Sequence, residues 1–164
     1  MIKDIVLWPD PILTTEAEWV RVFDTYVRTL AEDLLQTCRA NNGLGLAAPQ
    51  IGVSMQVLVA LDRVFVNPVY SSSGPKVEMQ EGCLSFPGVV EYVPRYRNIE
   101  CVYQNLDGKM VKESLSGVLA HVVQHETDHL LGMTIPLRLD LIRRDRFLRR
   151  YKQAKRRVNS DDLP

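Results

Sequence analysis

No apolar run in these 164 residues approaches the roughly 18 that a membrane-spanning helix needs, so the chain does not read as an integral membrane protein. Cysteine is scarce. Cys38, Cys83 and Cys101 are odd in number and widely spaced, which argues against a disulfide framework and for a reducing compartment. The opening MIKDIVLWPDP carries acid and proline where a signal peptide needs an apolar block, and a cytoplasmic protein is expected. Internal repeats, low-complexity tracts and a linker are also missing. One domain over residues 1–158 follows, long enough to bury a core, with 159–164 as a frayed end. Net charge is absent too, with 20 Lys+Arg against 20 Asp+Glu, but it is unevenly spread. Residues 138–164 hold ten basic and four acidic groups, and the remainder ten and sixteen, so a neutral body carries a basic tail suited to an anionic partner.

What is present begins with a helical pattern. Val20, Phe23, Val27, Leu30, Leu34, Leu35 and Cys38 recur at three- and four-residue steps, predicting an amphipathic helix from about Val20 to Asn41, stopped by Asn42-Gly43. The stretch Gly43 to Gly52, GLGLAAPQIG, is too glycine-rich for a helix and too apolar for a surface loop, and its glycines allow close backbone approach. Strands are predicted at Gln56–Leu61, Val64–Val66, Val77–Gln80, Val89–Val93, Ile99–Asn105 and Met110–Leu115, with a loop over Tyr70–Lys76 and a hairpin turn at Asn105–Gly108. Asp140 can cap a last helix to about Val158, with Phe147, Tyr151, Ala154 and Val158 on one stripe and its cations left outside. The fold class expected is α+β: mostly antiparallel strands around a buried central helix, plus an N-terminal and a basic C-terminal helix.

That central helix carries the chemistry. Val118 to Gly132 reads VLAHVVQHETDHLLG, with H-E-x-x-H at residues 125–129. Residues four apart share a helix face, so His125 and His129 can bind one metal ion while Glu126 leans over it. Apolar Val118, Leu119, Val122, Val123, Leu130 and Leu131 surround the motif and predict a buried helix. Buried polar groups are costly without partners, and a metal supplies one. A catalytic site usually has three protein ligands and one open position. Cys83, His121, Asp128 and a distant carboxylate are candidates for the third. Cys83 is favoured, since Gly82 in its Glu-Gly-Cys turn lets the backbone bend towards another element. His121 fits better as a cleft or core residue, Asp128 as an orienting group, and Cys38 and Cys101 as plain core residues.

GLGLAAPQ, EGCLSFP and QHETDHLLG, in that order and spacing, resemble the three motifs of the peptide deformylases, and the likeness runs through nearly the whole chain. The resemblance implies that Cys83, His125 and His129 are metal ligands. It makes Glu126 the general acid/base, with metal-bound water as nucleophile. Gln50 and the N–H of Leu84 would hold the oxyanion. Gly43, Leu44 and Gly45 would pair strand-like with the substrate, with Gly82, His121 and Val122 also lining its site. The implied activity removes the formyl group from the formylmethionine of newly made polypeptides and releases formate. Fe²⁺ would be the native cation, with Zn²⁺, Ni²⁺ or Co²⁺ as substitutes. A monomer is expected, and a basic C-terminal helix meeting the ribosome. Two positions depart from the family pattern. Val90 or Glu91 falls where many members carry an arginine, and His121 stands where an aliphatic residue commonly lines the side-chain pocket. Two other readings stand beside this one. A zincin-like endopeptidase needs a third His or Glu beyond the helix, and a non-enzymatic binding module would have no use for Glu126 and Gln50.

Overall fold

The computed structural model describes residues 1–72 and 74–161. Its strands are β1 (Gly45–Ala47), β2 (Val57–Ala60), β3 (Arg63–Ser71), β4 (Lys76–Gly82), β5 (Val90–Tyr96), β6 (Asn98–Gln104) and β7 (Met110–Ser116). Its α-helices are α1 (Thr25–Ala40), α2 (Gly117–Leu130) and α3 (Leu141–Asp161). The first sheet has five antiparallel strands in the order β1-β2-β3-β6-β7, and β4 and β5 form a separate antiparallel ribbon. The architecture is the α+β arrangement expected.

The strand period of two places the helices. Leu58 and Ala60 of β2 join Ala47, Phe65, Val122, Val123 and Leu130 on one face, against α2. Val57 and Val59 join Leu30, Leu34, Leu46 and Val66 on the other, against α1. A strand buried on both faces has to be apolar throughout, which VLVA is. A third cluster gathers Phe86, Val93, Ile135, Phe147 and Tyr151 under α3. There Phe86 meets Trp8, Phe147 and Tyr151 at centroid distances of 5.5, 5.3 and 5.2 Å.

Several boundaries differ from the sequence expectation, each for a local reason. α1 begins at Thr25 rather than Val20, because the Asp24 carboxylate accepts from the N–H groups of Tyr26 and Val27 and caps it there. Val20 is buried, but its backbone N–H and C=O bond the side-chain amide of Asn67. Asn67 itself has φ 52° and sits in an irregular stretch between Val66 and Val69. That irregularity hides the continuation of β3, so Tyr70 and Ser71 are strand and not loop. Lys76 likewise belongs to β4, and Ser73 of the expected loop lies outside the described residues. The β6–β7 turn at Asn105–Gly108 forms as expected, with Gly108 N–H donating to Asn105 O.

α2 ends at Leu130 rather than Gly132. Gly132, at φ 69°, donates to His129 O, and Met133 N–H donates to Asp128 O, closing a Schellman turn one residue past the helix cap. A Cβ at Gly132 would lie 2.9 Å from the Thr14 backbone. The helix is buried over most of its length, but Val118 and Leu131 are exposed, contrary to the expectation. Val118 stands in the first turn at the mouth of a cleft, and Leu131 is the cap residue itself.

α3 starts where Asp140 accepts from Ile142 and Arg143 N–H, and it continues to Asp161, past the expected end near Val158. The Val158 side chain and residues 162–164 of the expected frayed end lie outside the described residues. Phe147 and Tyr151 are buried as the stripe requires. The cations are not all left outside. Glu91 accepts from Arg143 and Arg150, Arg150 also donates to Val90 O, and Arg144 donates to Pro136 O. The long cationic helix is therefore clamped to β5 by charge-assisted bonds. Among the described residues, no helix is long and apolar enough to cross a membrane.

Burial pushes the Glu91 carboxyl up, but the Tyr92 N–H and the two arginines outweigh it and hold it below the usual glutamate value. A lowered carboxyl pKa contributes stability above the unfolded value, and that stability is lost as pH falls through the folded one. Glu91→Gln is expected to cost about 1–2 kcal/mol in urea unfolding at pH 7, discounting the partly exposed arginines. The difference from the parent should shrink as the pH is lowered below the unfolded value.

Candidate metal centre

The β4–β5 ribbon and α2 meet at one point. Cys83 follows the last residue of β4, and α2 presents His125 and His129 on the face turned towards it. The ligand atoms these three residues offer all lie within 4.8 Å of one another. His129 Nε2 is 3.2 Å from Cys83 Sγ. His125 Nδ1 bonds Glu81 Oε2, and since a carboxylate only accepts, this nitrogen donates, so that Nε2 is the atom that would face a cation. His121 is not in the group, and neither is Asp128.

The donor set is chemically suited to a divalent cation: one thiol and two imidazoles, buried or nearly so. Burial pushes the Cys83 thiol up, but the neighbouring imidazoles of His129 and His125 more than offset this and bring it down to about 5. Thiolate, the ligating form, is thus favoured by the fold itself. Glu126, only 4% exposed, is pushed up to about 7 chiefly by burial, partly opposed by the two imidazoles. Its Oε2 is buried and has no hydrogen-bond partner, and Glu126 is among the residues that line the cleft.

Glu126 is also why residue 45 is glycine. β1 runs so close to α2 that a Cβ on Gly45 would meet Val122 at 2.5 Å and Glu126 Oε1 at 2.7 Å. Any side chain there would drive the strand off the helix. Gln50, 1% exposed, is held by both ends of its amide. Oε1 accepts from Ala47 N–H at 2.9 Å, so the NH₂ group points the other way, to Ser85 Oγ at 3.2 Å and Cys83 Sγ at 3.5 Å. Phe86 N–H donates to Cys83 O and closes a tight turn, leaving the Leu84 N–H outside that bond. The cleft over these groups has a volume of about 730 Å³. Gly43, Leu44, Gly82, Leu84, His121 and Val122 all line it, as does Val90. Strand alternation turns Glu91 to the opposite side, towards α3, so the residue facing the cleft in place of an arginine is Val90.

Sequence reasoning missed the groups beneath the site. Arg95, on β5 and only 3% exposed, donates Nε and Nη2 to the two oxygens of Glu81 at 3.0 and 3.2 Å, and Nη1 to Asp128 Oδ2 at 2.5 Å. Arg138 bonds both Asp128 oxygens. Burial raises the Glu81 and Asp128 carboxyls, but these cations and, at Glu81, the His121 and His125 imidazoles hold both below their usual values. Gln124 ties α2 to β5 by accepting from Tyr96 N–H and donating to Tyr96 O. One signal could have found Glu81: on a strand, residues two apart share a face, which puts Glu81 beside Cys83. Nothing local marks Arg95, whose partners lie 14 and 33 residues away.

The family model described as polypeptide deformylase matches residues 2–145. A peptide deformylase-like protein of Brucella melitensis is 43% identical, over 94% of this chain and 99% of its own length. A peptide deformylase of Dictyoglomus thermophilum is 44% identical, over 82% and 91%. The crystal structure of a peptide deformylase from Legionella pneumophila superposes with a TM-score of 0.90 at 34% identity, covering 100% of both chains.

Removing one partner of a buried ion pair leaves an uncompensated charge, which costs about 3–5 kcal/mol. Among the described residues, Arg95→Met removes the only guanidinium at Glu81, which keeps His125 Nδ1, and one of the two at Asp128, which keeps Arg138. Equilibrium urea unfolding of the metal-free variant at pH 7 should show a loss of about this size, and Arg95→Lys, which cannot bridge both carboxylates in the same geometry, a smaller one.

Proposed function

The chain belongs to the polypeptide deformylase family, whose members remove the N-formyl group, and on that premise we propose that it acts on the formylmethionine of newly made polypeptides, with Cys83, His125 and His129 holding one divalent cation. The observation that carries this reading is the convergence of a thiol and two imidazoles, within 4.8 Å, in the same cleft as Glu126 and Gln50. Gly43 to Gly45 edges that cleft, and β1 is the terminal strand of its sheet, with backbone free to pair with an extended substrate peptide.

Held by Cys83, His125 and His129, a divalent cation would supply Lewis acidity and would bring the pKa of water towards about 7. Glu126, with its open Oε2, takes the proton from the attacking water and returns it to the amine that leaves. The formyl oxygen gains charge as water adds. The Gln50 NH₂, fixed in direction by Ala47 N–H, offers a donor to that oxygen, and the Leu84 N–H provides a second. These donors are set in place before the reaction, so no reorganisation is needed when the charge appears. Formate and a free N-terminus result.

Residues 1–158 act as one catalytic domain in this reading, as a monomer in the cytoplasm where new chains emerge. Fe²⁺ is the native cation and Zn²⁺, Ni²⁺ or Co²⁺ substitute, in keeping with a soft thiolate beside two imidazoles. α3 contributes a further contact. Arg146, Lys152, Lys155 and Arg156 are exposed on the helix after Arg143 and Arg150 have been taken up by Glu91. These cations face the RNA phosphate of the ribosome, which draws the enzyme to its substrate in a salt-dependent way.

Formate release from formyl-Met-Ala-Ser, combined with metal analysis, tests the reaction and the ligands together. Cys83→Ala should lose stoichiometric metal and activity, and its retention of metal would remove Cys83 from the ligand set. Glu126→Ala should keep the metal and the fold while turnover falls by about 10⁴, the upper end for loss of a general base, because one group serves both proton transfers. For the tail, replacing Arg146, Lys152, Lys155 and Arg156 together by Ser should abolish co-sedimentation with ribosomes at low salt, with turnover of the short formyl-peptide as the folding control. Undiminished co-sedimentation would make the charge run a solvated face.

A further inference from the structure

The two groups assigned to the oxyanion come from different layers of the fold. Gln50 lies in the short 3₁₀ helix Ala48–Ile51 that follows β1 of the five-stranded sheet, and Leu84 lies in the turn that follows β4 of the separate ribbon. Among the described residues no strand pairing joins the two sheets, so the separation of these donors is set by what crosses between them. At this point two kinds of bond cross. One is the side-chain contact from Gln50 Nε2 to Ser85 Oγ at 3.2 Å, with Ser85 fully buried. The other is backbone. Val6 N–H donates to Gln50 O at 2.8 Å, and Trp8 N–H donates to Ser85 O at 3.1 Å. The Leu7 N–H between them bonds neither.

Two residues of chain span at most about 7 Å, so the donors of Val6 and Trp8 form a short spacer. One end is bonded to Gln50 and the other to the residue after Leu84. The two ends are anchored in separate cores. Ile5 packs on the cluster that holds Leu46, Ala48 and Val57. Trp8 packs on the cluster under α3, where its ring stacks on Phe86 and its carbonyl oxygen accepts from the Tyr151 hydroxyl at 3.2 Å. Phe86 and Tyr151 are both buried, and close packing leaves this end little room to move. None of residues 5–8 lines the cleft, so any influence on turnover passes through the residues they hold. We propose that the segment Val6–Trp8 is a positioning strap, which sets the separation of the Gln50 amide and the Leu84 N–H and keeps both aimed at one oxygen. The proposal rests on the reading of these two groups as the oxyanion donors. Such donors act only when about 2.7–3.1 Å from the charge that develops. A misplacement of about 1 Å, caused by a change far from the chemistry, can cost about 10² in rate. Binding of the peptide itself is made along β1 and in the cleft, and does not depend on that separation. The strap therefore acts on the reacting state, and its loss falls on kcat and not on KM.

The test uses the metal-loaded full chain. Val6→Pro removes the N–H that reaches Gln50, and Leu7→Pro removes one that the strap does not use. With formyl-Met-Ala-Ser, Val6→Pro should lower kcat by about 10- to 100-fold and leave KM unchanged, because the donor is displaced and not deleted. Leu7→Pro should keep parental turnover. Inhibition by the product peptide Met-Ala-Ser, which has no formyl oxygen, should be the same in all three proteins. In a Gln50→Ala background the effect of Val6→Pro should shrink, since the group that Val6 holds is gone. Where proline prevents folding, α-hydroxyvaline at position 6 replaces the same N–H by an ester oxygen and keeps the side chain. Four results would overturn the proposal. The first is parental kcat in the proline or ester variant at position 6. The second is an equal loss in Leu7→Pro. The third is a loss shared by KM and product inhibition, which would assign the segment to packing. The fourth is an undiminished effect of Val6→Pro on top of Gln50→Ala. If Gln50→Ala by itself changes only KM, Gln50 is no oxyanion donor, and the reading of the site has failed and takes this proposal with it.

Discussion

Two buried carboxylates face one buried guanidinium at the join between the β4–β5 ribbon and α2, and the position of everything functional depends on how that charge is balanced. Glu81, Asp128 and Arg95 are each almost fully withdrawn from water. No member is tolerable alone, so the three must be brought together if the chain is to fold. Arg95 has the planar fork to meet both carboxylates at once, which lysine lacks. Satisfying it fixes the ribbon against the helix, and Cys83 is carried to His129 as a consequence. Asp128 lies within the H-E-x-x-H segment and Glu81 two residues before Cys83, so the ionic cluster and the candidate ligands share the same backbone. Arg138, reaching Asp128 from beyond the Schellman turn, completes the balance.

A second constraint acts on the opposite side of α2. β1 approaches the helix closely enough that a hydrogen is all that residue 45 can carry. That approach buries Glu126 against Val122 and the strand, with Oε2 left without a hydrogen-bond partner. The same strand ends at Ala47, whose N–H fixes the direction of the Gln50 amide. Close packing at one glycine therefore sets two of the groups assigned to the reaction. Part of the charge of the C-terminal helix is used within the fold. Arg143 and Arg150 are bound by Glu91, so part of the basic run is a clamp that holds α3 over Phe86 and its aromatic neighbours.

Much of the architecture was legible because its causes are local. The α1 stripe, the β6–β7 hairpin and the Asp140 cap follow from periodicity, a turn sequence and a capping side chain. Errors arose where a distant residue decided the outcome. Val20 keeps the helical spacing but is held extended by Asn67, 47 residues away. A strand was expected only over Val64–Val66, whereas β6 pairs across the irregularity between Val66 and Val69 and keeps β3 going. Val118 was expected inside because it is apolar, yet a first-turn residue beside a cleft has nothing to cover it.

The residue types of the candidate site were determined by the sequence alone: a histidine pair at helical spacing with a glutamate beside the first, and a Glu-Gly-Cys turn. Residues four apart on one helix share a face, so that pairing needs no fold. The third member of the cluster was favoured there as Cys83 but not fixed, since His121, Asp128 and a distant carboxylate stood beside it as candidates. Tertiary structure separated them. His121 turns to the cleft and to Glu81, Asp128 turns to two arginines, and Cys83 comes to within 3.2 Å of His129. It also decided which of Val90 and Glu91 faces the cleft, because a one-residue change of strand register exchanges the two faces. Spacing along one helix is a property of the chain, whereas meeting across 46 residues requires the balanced charge beneath the site.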